Sequence, residues 1–373
     1  MLYKPLTPGP PTAARAESTF LSVALSLVLF AAAALAENRT WIEIDEVTYG
    51  ARPDERGPIG GGDGYAAVVS EAQHTARTID ELIDALTEAQ AGQTVFIPGD
   101  IELDLTARIY IEKLVLEVPP GVTLASDRGR NGSAGALLTS DALATPMMIR
   151  PAGADVRITG LRLRGPNPKQ YLDHHRRSFA EGRGHEYYCK LPTSAAIVTD
   201  HDRLEVDNCE ISGFSHGGIY LAGGAGHHVH HTFIHHCQYQ GLGYGIVLDA
   251  AEVLIEYNLF SFNRHSIAGT GRPGSGYEAS NNVELGTSSH CFDMHGGRDR
   301  GDGTDIAGTA IRIHHNTFRA RTTPVVIRGV PEDVCDVHHN WFPQHGPGDA
   351  VHAGQRTQVH DNAHGAGDEV RLK

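Results

Sequence analysis

Aromatic residues make up 7% of the 373 positions, against 43 glycines, a balance that excludes an ordinary helical protein and favours many tight turns. Basic residues are in deficit as well. The net charge is −14 and no basic stripe with interleaved aromatics occurs, which excludes non-specific nucleic-acid binding; the acidity is a statement about solubility. Cysteine is sparse: Cys189, Cys209, Cys237, Cys291 and Cys335 are odd in number, widely spaced and without a CxxC pair. Neither a zinc knuckle nor a full disulfide framework is indicated, although there is room for one or two bridges. With 20% charged and 40% apolar residues the chain is expected to fold. Its length is excessive for one globular core but ordinary for a repeat architecture, in which each unit packs on its neighbours.

Residues 1 to 36 read as a signal peptide. Lys4 and Arg15 precede an apolar run, Phe20 to Ala36, that closes on Ala34-Leu35-Ala36. An uncleaved anchor is the alternative, at the short edge of what spans a bilayer. Either way the body is expected outside the cytoplasm, as a secreted, cell-surface or periplasmic protein. A Gly-rich lead follows, residues 37 to 77, read as loop with a strand at Trp41 to Ile44. Thr78 to Gln90 is the convincing helix: Thr78 and Glu81 form a capping box, and Ile79, Leu82, Ile83 and Leu86 share one face. Gly92 is read as its stop.

From Val95-Phe96-Ile97-Pro98-Gly99 onward the chain becomes a series of short strands parted by Pro and Gly. Six segments share one pattern, an apolar residue three positions before Asn or Thr (Cys209 in the first). They begin at Val206, Val229, Ile255, Ile313, Val337 and Val359, with spacings of 22 to 26 residues and one double gap. A second column holds Ile219, Ile246, Ile267, Phe292, Val325 and Val351. Units of this length, with two or three strands and no intervening helix, specify a parallel β-solenoid. Asn side chains stacked at one bend are expected to hydrogen-bond from turn to turn. The helix at 78 to 90 is expected to cap the open edge of the first coil. Two insertions, 167 to 190 and 296 to 308, interrupt the coils in the region 78 to 373.

Chemistry concentrates between Arg264 and His295. That stretch holds Arg264, His265, Tyr277, Glu278, His290, Asp293 and His295, which are the candidate catalytic residues. Three His-His pairs, His230-His231, His314-His315 and His338-His339, fall at one repeated phase and are read as structural. His265, His290 and His295 do not share that phase. If Ile267, Phe292 and Met294 face inward, alternation turns Asp293 and His295 outward, beside Asp249 on an adjacent coil. Tyr244, Asp249, Arg298 and Arg328, with Arg176 and Arg177 from the first insertion, are the candidate substrate-binding residues.

Three pictures fit the patch. In one, Arg264 or Arg328 neutralises a uronate carboxylate while His265, His290 or Tyr277 removes the neighbouring proton. In another, Asp293 and His295 with His290 or His265 hold a divalent metal such as Zn²⁺ or Mn²⁺. In the third, Asp293 and Glu278 are the paired carboxylates of a hydrolase. The Asp and Gly of the 296 to 308 loop raise Ca²⁺ as a further cofactor, with Asp299 and Asp302 as candidate ligands.

Residues 57 to 365 resemble the right-handed parallel β-helix proteins of the pectate lyase-like superfamily, through the glycine-rich lead, the capping helix followed by VFIPG, and coils with Asn at one turn. The resemblance implies an all-β, right-handed parallel β-helix and one of several activities: lyase, glycoside hydrolase, epimerase or non-catalytic glycan binding. Ser215-His216-Gly217 matches one polygalacturonase motif, but no NTD or DD motif precedes it, which speaks against an inverting hydrolase. The expectation is a monomeric lyase acting on an anionic, uronic-acid-containing polysaccharide, with no nucleic-acid partner and no membrane contact after signal cleavage.

Overall fold

The computed structural model describes residues 39–372 apart from 168, 189, 287–288 and 367–369; the signal-peptide reading and Cys189 lie outside the described residues. Among the described residues no helix is long and apolar enough to cross a membrane. The chain coils into three long sheets of 11, 11 and 9 strands, parallel except for one closing strand at Arg371–Leu372. Both expected columns are in register. Ile219, Ile246, Ile267, Phe292, Val325 and Val351 pair in succession on the nine-stranded sheet, here called the site sheet. Val206, Val229, Ile255, Ala279, Ile313, Val337 and Val359 do so on a second, the histidine sheet. Ala279 fills the double gap. These columns bury the core, since Ile219, Ile255, Phe292 and Val337 are wholly inaccessible.

At the corner after the histidine sheet the backbone turns through a left-handed residue: His231, Tyr257, Asn281, His315, His339 or Asp361. The next position is Thr232, Asn258, Asn282, Asn316, Asn340 or Asn362, all buried. Each Asn side-chain oxygen accepts from the backbone N–H one coil below, as Asn282 does from Asn258 (2.9 Å) and Asn316 from Asn282 (3.0 Å). The amide nitrogens donate to carbonyls of that same lower coil, such as Ile255 and Ala279. The ladder thus satisfies polar backbone that a sharp bend would otherwise bury unpaired. The paired histidines stack along the same corner, His315 on His339 at 5.0 Å.

A helix at Ile79–Glu88 carries the Thr78–Glu81 capping box and buries Leu82, Ala85 and Leu86. It stops at an extended Ala89, before Gly92. The lead is more ordered than a loop reading allows. Strands Trp41–Ile44 and Val47–Gly50 form an antiparallel hairpin whose Ile42 and Tyr49 pack on Trp341 and Ala363. From there the chain runs back along the Asn corner, bonding to Thr317, then Glu256, then Asn208. Gly61, at φ +67°, passes so close that a Cβ would sit 2.3 Å from the His231 carbonyl oxygen. Cys209, Cys237 and Cys335 are buried free thiols, which corrects the room left for bridges between them; burial pushes each thiol up to about 12.

Candidate active site

The outer face of the site sheet is apolar on its middle coils and charged on the next. Tyr220, Val247, Ala268, Asp293 and Val326 pair in one outward column, and Tyr244, Val247 and Ala268 form a small buried cluster outside the main core. Three residues before Val247, Ala268 and Asp293 stand Tyr244, His265 and His290, and their rings stack in series. Tyr244 lies on His265 at 5.8 Å between centroids, and His265 on His290 at 3.9 Å. Just past each strand comes a further outward position, where His295 N–H bonds to Gly269 O and Arg328 N–H to Met294 O.

Asp293 is the centre of this patch, with a side chain 0% exposed. Arg328 grips it through both oxygens, Nε to Oδ1 at 3.0 Å and Nη2 to Oδ2. His295 Nε2 lies 3.1 Å from Asp293 Oδ2 and 3.0 Å from Arg328 Nη2. His290 Nε2 is 3.3 Å from the same carboxylate oxygen, without hydrogen-bond alignment. Burial alone would raise the Asp293 carboxyl, but His290, His295 and Arg328 outweigh it and hold the group well below the usual carboxylate range. Asp299 closes the far side, 3.4 Å from Arg328 Nη1 and 4.0 Å from His295 Nδ1.

His265 is wholly buried. Its Nδ1 lies 2.8 Å from the His290 carbonyl oxygen, which can only accept, so the proton sits on Nδ1 and Nε2 presents a lone pair. That Nε2 is buried with no hydrogen-bond partner. Burial first, then the Arg264 charge, pushes His265 down to about 2, and it stays neutral at any working pH. Arg264 itself donates to Leu242 O and lies 6.0 Å over the Tyr244 ring. Among the described residues no carboxylate pairs with it.

Several expected site residues are elsewhere. Tyr277 is 3% exposed on the inner face of the histidine sheet, part of the core. Glu278, its neighbour, faces outward on that same sheet and meets His314 Nε2 at 3.3 Å, in a cleft of about 570 Å³ shared with His228 and Arg312. Asp249 stands two coils from His295 and is taken up by Thr270 and Arg272. In the 296 to 308 loop each carboxylate faces an arginine: Asp299 faces Arg328, Asp302 faces Arg300, and Asp305 faces the 82% exposed Arg298. Asp302 also accepts from Thr304, so it does not reach the Asp293 patch. Arg176 and Arg177 lie on a helix of the first insertion, Leu172–Ala180, lining a cleft of about 730 Å³ with Lys169 and Gln238. On the same helix, burial and then the Arg264 charge lower His175 below the usual imidazole value.

Arg328, expected only as a substrate contact, proves central. His216, marked in the sequence only through the Ser215-His216-Gly217 motif, and Tyr220, not anticipated, extend the aromatic row, with ring centroids 4.9 Å apart and His216 6.4 Å from Tyr244. Beside Arg328 the surface opens into a cleft of about 510 Å³ lined by Arg298, Val326, His352 and Gln355.

Residues 187–363 match the family model described as a right handed beta helix region. The protein is a right-handed parallel β-helix protein. Solved structures with a similar fold include an alginate lyase from Paenibacillus sp., at 14% identity and TM-score 0.39, covering 78% of this chain and 97% of that one. The Dettilon tailspike protein follows at 14% identity and TM-score 0.44, covering 77% and 55%. A family 28 exopolygalacturonase from Yersinia enterocolitica, at 13% identity and TM-score 0.39, covers 77% and 62%. The chain therefore spans less than two thirds of the latter two proteins. No curated protein is significantly similar to it in sequence.

Proposed function

We propose that this protein is an exported polysaccharide-active enzyme that cleaves a uronic-acid-containing chain by β-elimination. The observation that carries the reading is the position of His295 Nε2 between Asp293 Oδ2 (3.1 Å) and Arg328 Nη2 (3.0 Å). Protonated, it donates to the carboxylate; deprotonated, it accepts from the guanidinium. A group with a partner in both states suits a general base that takes up a proton and later returns it. His295 is 26% exposed and can meet substrate, whereas His265 is sealed.

In this reading Arg264, which has no carboxylate partner among the described residues, receives the uronate carboxylate and makes the adjacent C–H more acidic. His295 takes that proton, the electron pair forms the ring double bond, and the bond to the glycosidic oxygen breaks. The departing oxygen acquires a proton from solvent. His216 and Tyr220, both part-exposed, supply ring faces for sugar packing beside the patch. The alternative of Asp293 and Glu278 as a hydrolytic pair loses its geometry, because the two are on different sheets. An epimerase would share the proton abstraction but leave the chain intact.

The test is ultraviolet absorbance on a panel of uronans. Elimination leaves an unsaturated product that absorbs; a rise in reducing ends without absorbance would overturn the reading. Loss of neither polymer length nor configuration on any uronan would favour a glycan-binding β-helix instead.

A further inference from the structure

We propose that His265, His290 and Asp293 form a binding site for one divalent transition-metal ion, of the Zn²⁺ or Mn²⁺ class. One atom from each residue, two imidazole nitrogens and a carboxylate oxygen, lies within 4.8 Å of the others. Ligands on a shared ion sit roughly 3 to 3.5 Å apart, so closing this set takes side-chain shifts of about an ångström or less. The inference goes beyond the elimination reading and is independent of it, because occupancy is read without turnover.

The orphaned atoms are the strongest argument. His265 presents its Nε2 lone pair in a fully buried position where no donor meets it, and its Nδ1–H is already committed to the His290 carbonyl. That second bond is what fixes a metal-binding tautomer. His290 Nε2 is likewise buried and unpartnered, 3.3 Å from Asp293 Oδ2. A buried polar atom left unmatched costs free energy, and two such atoms aimed at one carboxylate call for a cation rather than a further hydrogen bond. Arg328 occupies one acceptor site on each Asp293 oxygen and orients the group, and His295 Nε2 takes a third; of the about four such sites on a carboxylate, one remains for an ion. Two imidazoles with one carboxylate select a borderline metal over Ca²⁺ or Mg²⁺, which prefer all-oxygen shells. Three protein ligands leave a position open for water or a sugar oxygen.

A second His-carboxylate cluster makes the contrast. Glu205, His228 and His230 also come within ligand distance of one another. Three of their four ring nitrogens are spent, however: His228 Nε2 on Glu256 at 2.9 Å, His230 Nε2 on Glu205 at 3.3 Å, and His230 Nδ1 on His231 at 3.0 Å. Unlike His265 Nε2 and His290 Nε2, none of them is buried without a partner.

The experiment titrates the full chain, stripped with chelator and dialysed, with ZnCl₂ and separately MnCl₂ by calorimetry, and uses Co²⁺ as a visible-absorbance probe. The expected result is one tightly bound ion per chain, with affinity lowered about 100-fold or more in His265→Ala and His290→Ala. His228→Ala should bind as wild type does. His290, at the surface, is the variant that keeps its fold if His265→Ala does not, and thermal melts establish which variants are folded. Unchanged stoichiometry and affinity in folded His290→Ala would overturn the proposal, as would a wild-type chain that binds no ion, or loss of the ion in His228→Ala.

Discussion

His314 and His338 lie face to face on consecutive coils, ring centroids 5.1 Å apart and planes 8° from parallel. Beside them His315 and His339 stack in the same way, and within each coil the two Nδ1 atoms meet, at 3.0 Å for His314–His315 and 2.8 Å for His338–His339. Such a contact holds one hydrogen between two nitrogens. Protonating both rings removes it and sets like charges against each other.

Acid should therefore loosen this corner well before carboxylates titrate. Burial, then the neighbouring His314, His339 and His338, lowers His315 to about 4; burial and His230 lower His231 to about 4. Both folded values lie below the unfolded value of about 6.5, so the unfolded chain binds more protons between the two. Stability is full above pH 6.5 and falls as pH drops towards 4. Thermal melts from pH 8 to 4.5 should show this decline, and His315→Asn, which tolerates the left-handed backbone, should make it shallower. A flat profile would count against the stacked pairs as acid-sensitive.

The Asn corner is the expected weak point of stability. Asn316 donates to Ala279 O and accepts from Asn282 N, both buried, so Asn316→Ala strands a donor and an acceptor at a cost of about 1–3 kcal/mol. His290→Ala, which removes a 19% exposed side chain and strands no backbone partner, should cost less. Chemical denaturation of the two variants checks this, and a larger loss for His290→Ala would make that histidine structural.

Arg328 and Asp293 should be strongly coupled. Removing the arginine leaves a buried carboxylate without its bidentate partner, a loss of about 3 kcal/mol, at the low end for buried pairs because Arg328 is 28% exposed. Adding Asp293→Asn to Arg328→Ala should recover part of that loss. A double-mutant cycle with no coupling would show that the pair holds nothing together.

Turnover should fall by about 10²- to 10⁴-fold in His295→Ala and by a similar factor in Arg264→Ala, with unchanged melting temperatures. His314→Ala, His338→Ala and Tyr277→Phe should stay near wild type in activity. Equal losses in both groups would move the site off the Asp293 patch.

The columns were legible in the sequence because a coil repeats its residue types at the same phase: Ile above Ile, Asn above Asn, His above His. The site was legible only in part, since sequence proximity is a poor guide within a coil. Tyr277 and Glu278 lie within the Arg264 to His295 stretch, yet they fall on another sheet. Arg328 lies 35 residues from Asp293 and is its closest partner, one coil away. His216 stood out only through the Ser215-His216-Gly217 motif, and Tyr220 carried no local density of polar residues to mark it. Asp302 looked like a ligand by spacing, but Arg300 and Thr304, each two residues away, consume its oxygens.

The lead that runs back along the Asn corner sets an order of events during synthesis. Ala51 bonds to Thr317 across 266 residues of chain, and Gly50 to His339. The hairpin at 41–50 must therefore wait, undocked, until nearly the last coil exists. Closing so long a loop carries an entropy cost that coil-on-coil growth does not. A solenoid held together by nearest neighbours alone would fray from either end. Here the earliest and latest parts of the chain are tied to each other, so opening the final coils also releases the strap over the middle ones.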